Sequence, residues 1–236
     1  MNAPVRNSHF HELGHALGWH TGTRVMTLWA YFDESGWHPG GGALAKLTVG
    51  GCISSFEEWD RLEGYWADAI AEMGIDCFHM TDFEARVPPY DKWTEAERKK
   101  RLNTLLNIIG QIKPACWGFT NYARPGESSR SIYERCAHDV LLELGLYDEQ
   151  FAIVFAHHPE YGEHNELVGL LQKHGMGKAI KSLAIAKPID ACALQAADVI
   201  AYEFRCLERE ELRPMRYPLK RLHELGCPFR SSSEAG

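Results

Sequence analysis

The chain has no long apolar run. Its longest hydrophobic segments are of strand length, far short of the roughly 20 residues that a membrane-spanning helix needs, so a membrane protein of the helical kind is not expected. It also lacks any Cys-x-x-Cys pair. Its seven cysteines, an odd number, are scattered, which argues against both a disulfide framework and a zinc ribbon. Reduced thiols in the cytoplasm are then the default. Residues 1–25 lack the basic end and continuous apolar segment of a signal peptide. Internal repeats and low-complexity linkers are absent too, which excludes solenoids and leaves one domain as the economical reading. Basic residues are the minority, with Lys+Arg 25 against Asp+Glu 32 and a formal net charge of −7. A uniformly acidic surface repels a polyanion, and salt screens that only beyond about 8–10 Å.

What is present is enough apolar material for one substantial core: 45% hydrophobic residues in a chain of 236. The most informative stretch is Val25-Met26-Thr27-Leu28-Trp29-Ala30-Tyr31-Phe32-Asp33-Glu34-Ser35-Gly36. Its β-branched and aromatic run, stopped by Ser-Gly, reads as a strand. Because nearly every position is apolar, a central strand covered on both faces is expected. Two adjacent carboxylates, Asp33 and Glu34, at the end of such a strand suffer desolvation and mutual repulsion unless a cation stands beside them. A divalent metal ion answers that need; a solvated turn opened by two acids is the plainer alternative.

A second acid lies on a late helix. Asp190 to Phe204 is strongly helical, with Pro188 just ahead and Asp190 placed to cap it. At about 100° per residue, Leu194, Ala197, Ala201 and Phe204 form one apolar stripe. Asp198 sits on its edge, with Gln195 three residues before and Tyr202 four after, where a carboxylate can reach past the helix toward a strand end.

The pair of segments, Tyr-Phe-Asp-Glu-Ser-Gly early and Leu-Gln-Ala-Ala-Asp-Val-Ile-Ala-Tyr late, resembles the DUF3800 family. This is a bacterial family of unknown function assigned to the ribonuclease H-like superfamily. The resemblance spans residues 26–210, with its diagnostic residues in those two blocks. It implies an α/β fold with a mixed sheet flanked by helices, and acids of the first strand and last helix holding metal. In that reading Asp33 and Asp198 bind magnesium or manganese directly and Glu34 assists.

The rest of the chain fits an α/β pattern. Residues 26–53 read as an opening β-hairpin with a Gly-rich turn at 37–42. Ser54 or Ser55 caps a helix running to Met73, and 78–93 reads as a loop. Thr94 caps a helix through Gln111, and 114–122 is a strand. Ser128 or Ser129 opens a helix to Leu146, and 151–156 is a short buried strand. A helix over 163–174, an extended 179–186 and the Asp198 helix complete it.

Metal-assisted phosphodiester cleavage draws on several carboxylates around one or two ions. In ribonuclease H-like enzymes a further acid usually ends a middle strand. Here that strand ends Ala156-His157-His158-Pro159-Glu160. No Asp is present, and His157, His158 or Glu160 would have to substitute, imidazole being a ligand for manganese or zinc. His79, Asp82 and Glu84 offer another set, with His79 placed to act as general acid. Two basic runs are candidate phosphate tracks: Arg98 to Arg101, and Arg205, Arg209, Arg213, Arg216, Lys220 and Arg221. Both equally fit solvated helix faces.

One further motif competes. His11-Glu12-Leu13-Gly14-His15 matches the zinc-protease pattern, with Glu12 as general base and His20 one residue short of the third-ligand spacing. The segment resembles the zinc helix of bacterial metallopeptidase-like domains. Only ten residues precede it, too few for a lobe that could line a substrate cleft. The DUF3800 resemblance places the usual start near Met26, so residues 1–25 are expected to be an appended leader ahead of a single domain over 26–236. Three readings are therefore open: a metal-dependent nuclease acting on phosphodiesters, a non-catalytic binding or regulatory module of a defence or mobile-element system, and a zinc metallopeptidase through His11, Glu12 and His15.

Overall fold

A computed structural model describes residues 27–36, 46–124, 126–147, 149–160, 164–173, 179–209 and 215–231. The opening hairpin is formed by β1 (Thr27–Gly36) and β2 (Lys46–Ser55), antiparallel from Leu28 opposite Ser55 to Gly36 opposite Leu47. Ser55 accepts from the Glu58 N–H and so caps α1 (Phe56–Met73), whose first turn carries Glu57 and Glu58 at the positive dipole end. Residues 78–93, expected as loop, contain a short helix α2 (Met80–Ala85) and a 3-10 turn at Tyr90–Lys92. A six-residue helix is too short to show a periodic pattern, and its partners lie far away in sequence.

Thr94 and Glu97 form a capping box at α3 (Glu95–Ile112). Then follow β3 (Ala115–Tyr122), α4 (Ser129–Leu144) capped by Ser128, β4 (Gln150–Ala156), α5 (His164–Lys173) and β5 (Ile180–Ala186). The chain closes with α6 (Cys192–Arg209), α7 (Tyr217–Glu224) and β6 (Phe229–Ser231), a three-residue strand beyond the reach of sequence patterning.

The strand order is β5-β4-β1-β2-β3-β6, and β2 alone runs against the others. This is the expected α/β class with a mixed sheet opened by a hairpin, consistent with a ribonuclease H-like fold. β1 is central, as its apolar run requires. Trp29 and Tyr31 join the core under α1, α2, α3, α6 and α7. Ala30 and Phe32 join the opposite core under α4 and α5. Among the described residues no helix is long and apolar enough to cross a membrane.

Helix α6 is pressed onto the hairpin. A Cβ built on Gly50 would stand 2.6 Å from the Ala201 Cα, so glycine alone permits that approach. The expected cap at Asp190 is replaced by a distant one. The N–H groups of Cys192 and Ala193 donate to the two carboxylate oxygens of Glu63 on α1, at 3.2 and 3.0 Å. Glu63→Ala is expected to lower stability by about 1 kcal/mol, roughly 2–4 °C in Tm, as read by thermal unfolding. Asp190→Ala is expected to leave Tm in place.

Candidate functional site

The β1–β4 ladder ends at Phe32 opposite Phe155. Asp33 and Glu34 therefore emerge where β4 has parted from β1, at the carboxyl ends of parallel strands, where open α/β sheets place their sites. Strand alternation puts Asp33 and Ser35 on the Tyr31 face, toward α6. There they are met by Asp198. Rather than standing on the shoulder of its helix, Asp198 is buried, because α1 and α2 cover α6 from outside.

Two polar side chains of α6 hold the 77–80 segment in place. Gln195 Oε1 accepts from the Trp66 indole N–H at 3.0 Å and the Phe78 N–H at 2.8 Å, while its Nε2 donates to the Pro188 carbonyl. Asp198 Oδ2 accepts from the Met80 N–H at 2.6 Å, supplying the first turn of α2 with the cap that His79 does not provide. The Tyr90 hydroxyl accepts from the His79 N–H and donates to the Cys77 carbonyl. His79 is thereby fixed at the mouth of the site, half exposed. Its Nδ1 stands 3.1 Å from Asp82 Oδ2 and its Nε2 3.8 Å from Asp198 Oδ1. The Nδ1 edge of His79 thus lies toward Asp82 and its Nε2 edge toward Asp198.

The electrostatics follow from burial. Desolvation pushes the Asp33 carboxyl well above the usual carboxylate range, and the charges of Glu34 and Asp198 push it further. Glu34 is raised by burial to about 7, against the lowering effect of its hydrogen bond with Asp33. Burial lifts Asp198 to about 6, with the His79 charge and the Met80 N–H opposing. Glu34 Oε2 is buried with no hydrogen-bond partner. Sequence reasoning named these four residues, and the fold brings Asp33, Glu34, Asp198 and His79 into one electrostatic cluster.

The other candidates divide. His158 Nε2 approaches Glu34 Oε1 at 4.0 Å, and its Nδ1 accepts from the Glu160 N–H. That bond keeps the proton on Nε2, so His158 faces Glu34 as a donor rather than as a metal ligand. His157 and Glu160 are exposed. Glu84 turns from the site to bind Arg216 at 2.8 Å. The basic runs are largely consumed by packing. Arg98 is buried, stacked on Phe83 and donating to the Phe83 carbonyl, and Arg101 covers Trp93 and donates to the Met73 carbonyl. Arg205 is buried, and Arg221 donates to Asn107. His11, Glu12, His15, His20 and Arg213 lie outside the described residues.

Sequence reasoning passed over Ser35 and placed Arg205 only in a basic run, not beside the acids, although the spacing held a signal. Ser35 is two residues from Asp33 on a strand, and Arg205 seven from Asp198 on a helix, so each shares a face with its acid.

The donor set suits a hard divalent cation, being carboxylate oxygens with one imidazole. The unmatched Glu34 oxygen and the mutual repulsion of Asp33, Glu34 and Asp198 fit one as well. Among the described residues, however, no group of three or more His, Cys, Asp or Glu side chains is already arranged to hold an ion. A cation would therefore have to draw the carboxylates together. Against known proteins, the chain matches no family model and no curated protein.

Proposed function

We propose that the protein is a cytoplasmic, metal-dependent phosphodiester hydrolase acting on nucleic acid. Asp33, Glu34 and Asp198 would hold a magnesium or manganese ion, and His79 would carry a proton. The supporting observation is the convergence of Asp33 and Glu34 at the end of β1 with Asp198 of α6, the two Asp buried and Glu34 largely so, beside the exposed imidazole that opens α2. A divalent cation bound there supplies Lewis-acid polarisation of the phosphoryl group. The chain's own residues do the rest. Burial and mutual repulsion favour the neutral forms of Asp33 and Glu34, and a bound cation would favour their ionised forms. Asp82 stands beside the Nδ1 edge of His79, and in its protonated form the ring would give the Nε2 proton to a departing oxygen. Asp33 and Asp198 are buried, while His79 beside them is half exposed, the one of these groups that a substrate would meet first.

A second reading, a non-catalytic binding module on the same fold, is favoured by two observations. The β4 strand ends on Ala156 without a carboxylate, and no ready-made ligand group stands among the described residues. Hydrolysis of bis(p-nitrophenyl) phosphate and of single-stranded RNA and DNA oligonucleotides separates the two. The enzyme reading expects turnover in manganese that excess EDTA removes. No turnover of any of the three substrates would hand the site to the binding module.

A further inference from the structure

Ser35 and Arg205 carry polar atoms that the fold leaves unsatisfied beside the acid cluster. Arg205 is 8% exposed and Ser35 5%. Neither the Arg205 Nε nor the Ser35 hydroxyl has a hydrogen-bond partner, and a buried donor left unmade costs about 1–3 kcal/mol. Both belong to the faces that carry the acids: Ser35 follows Asp33 by two on β1, and Arg205 follows Asp198 by seven on α6. Their closeness is visible at Gly36, where φ is 114° and an added Cβ would stand 3.2 Å from the Arg205 Cδ. The guanidinium lies 4.6 Å from the Tyr202 ring centre, which holds its fork in one plane. Its charge favours the ionised form of Asp198, so the two are within electrostatic reach. The neighbouring Arg216 differs. It is engaged by Glu84 at 2.8 Å and by Glu203 at 3.5 Å. Among the described residues no carboxylate forms an ion pair with Arg205.

We propose that Arg205 and Ser35 form a phosphate seat, in which the guanidinium and the hydroxyl donate to non-bridging oxygens of a phosphate ester held at the Asp33–Asp198 site. This rests on the reading of that site as a metal centre. It specifies the substrate's reacting group: a phosphate, whose planar pairs of oxygens match a guanidinium fork. The competing role for Arg205 is that of a plain counter-charge to Asp198 and Glu203, whose ionised forms it favours.

Thermal unfolding of the full chain in manganese, with and without adenosine 5′-monophosphate as the probe, tests this in wild type, Arg205→Met, Arg205→Lys and Ser35→Ala. Manganese should raise Tm in all four. The nucleotide should raise it further in wild type. Its dissociation constant should rise about tenfold or more in Arg205→Met and by less in Ser35→Ala, with Arg205→Lys in between. A nucleotide affinity unchanged in Arg205→Met would assign Arg205 to charge balance and overturn the seat. If that variant does not fold, an unchanged affinity in Ser35→Ala overturns it instead. A wild type that responds to manganese but not to the nucleotide removes the seat and leaves the metal centre. No response to manganese in any protein removes the metal centre, and the seat with it.

Discussion

Asp33→Asn is expected to reduce phosphodiester hydrolysis by about a thousandfold or more while raising the Tm of the metal-free protein. The first effect follows from losing a charged ligand: the cation contributes several kcal/mol of transition-state stabilisation, and each 1.36 kcal/mol is tenfold in rate. The second follows from burial. An ionised Asp33 is desolvated and faces Glu34 and Asp198, so its carboxyl is pushed toward the neutral form. Asparagine mimics that form. Its oxygen can still accept from the Glu34 N–H, which Asp33 Oδ1 does at 2.8 Å, and its amide can donate to the Glu34 carboxylate. Activity assays and metal-free melts on the same preparation check both effects. A variant that is inactive because it is unfolded, or one that remains active, contradicts the assignment.

The second large effect is on pH dependence. Glu34 is raised from 4.5 to about 7 by burial, so the folded protein holds a proton that the unfolded chain gives up. Its stabilising contribution is complete below the unfolded value and is lost as pH rises from about 4.5 to about 7. A shift of that size amounts to about 3 kcal/mol at most. Asp198, raised to about 6, acts in the same direction over a lower range. Glu203, buried beside Arg216 and also raised to about 7, adds a loss of its own. In EDTA the urea midpoint should therefore fall between pH 5 and pH 8. Manganese should restore the share due to Glu34 and Asp198, because a cation takes the place of the proton, and should leave the Glu203 share. A midpoint in EDTA that stays level or rises across this range contradicts the buried-acid account.

The legible parts of the fold were those with local causes. The apolar run of β1 marked a central strand, and Ser55, Thr94 and Ser128 marked helix starts through caps one to three residues away. Asp33 and Asp198 stood out as acids against apolar surroundings. What remained hidden depended on partners far along the chain. The cap of α6 comes from Glu63, separated by 129 and 130 residues from the N–H groups it receives. The α2 turn exists because Asp198 and Gln195 hold its entry, contacts that span 118 and 117 residues. The basic run at Arg98 to Arg101 looked like a solvent face or a phosphate track. Arg98 and Arg101 instead lay their guanidinium groups over Phe83 and Trp93, which a charge count cannot reveal. Arg205 stood out only as one of a basic run; its approach to Gly36 and its stacking on Tyr202 depend on the fold.

Whether the acids of β1 and α6 together hold a cation is decided by manganese-dependent unfolding of wild type beside Asp33→Asn. At about 100 times its dissociation constant a ligand stabilises the native state by roughly 2.7 kcal/mol, well above the resolution of a melt. Wild type should show that shift and Asp33→Asn should lose it. Equal shifts in both proteins, or none in wild type, would contradict a cation held by these acids.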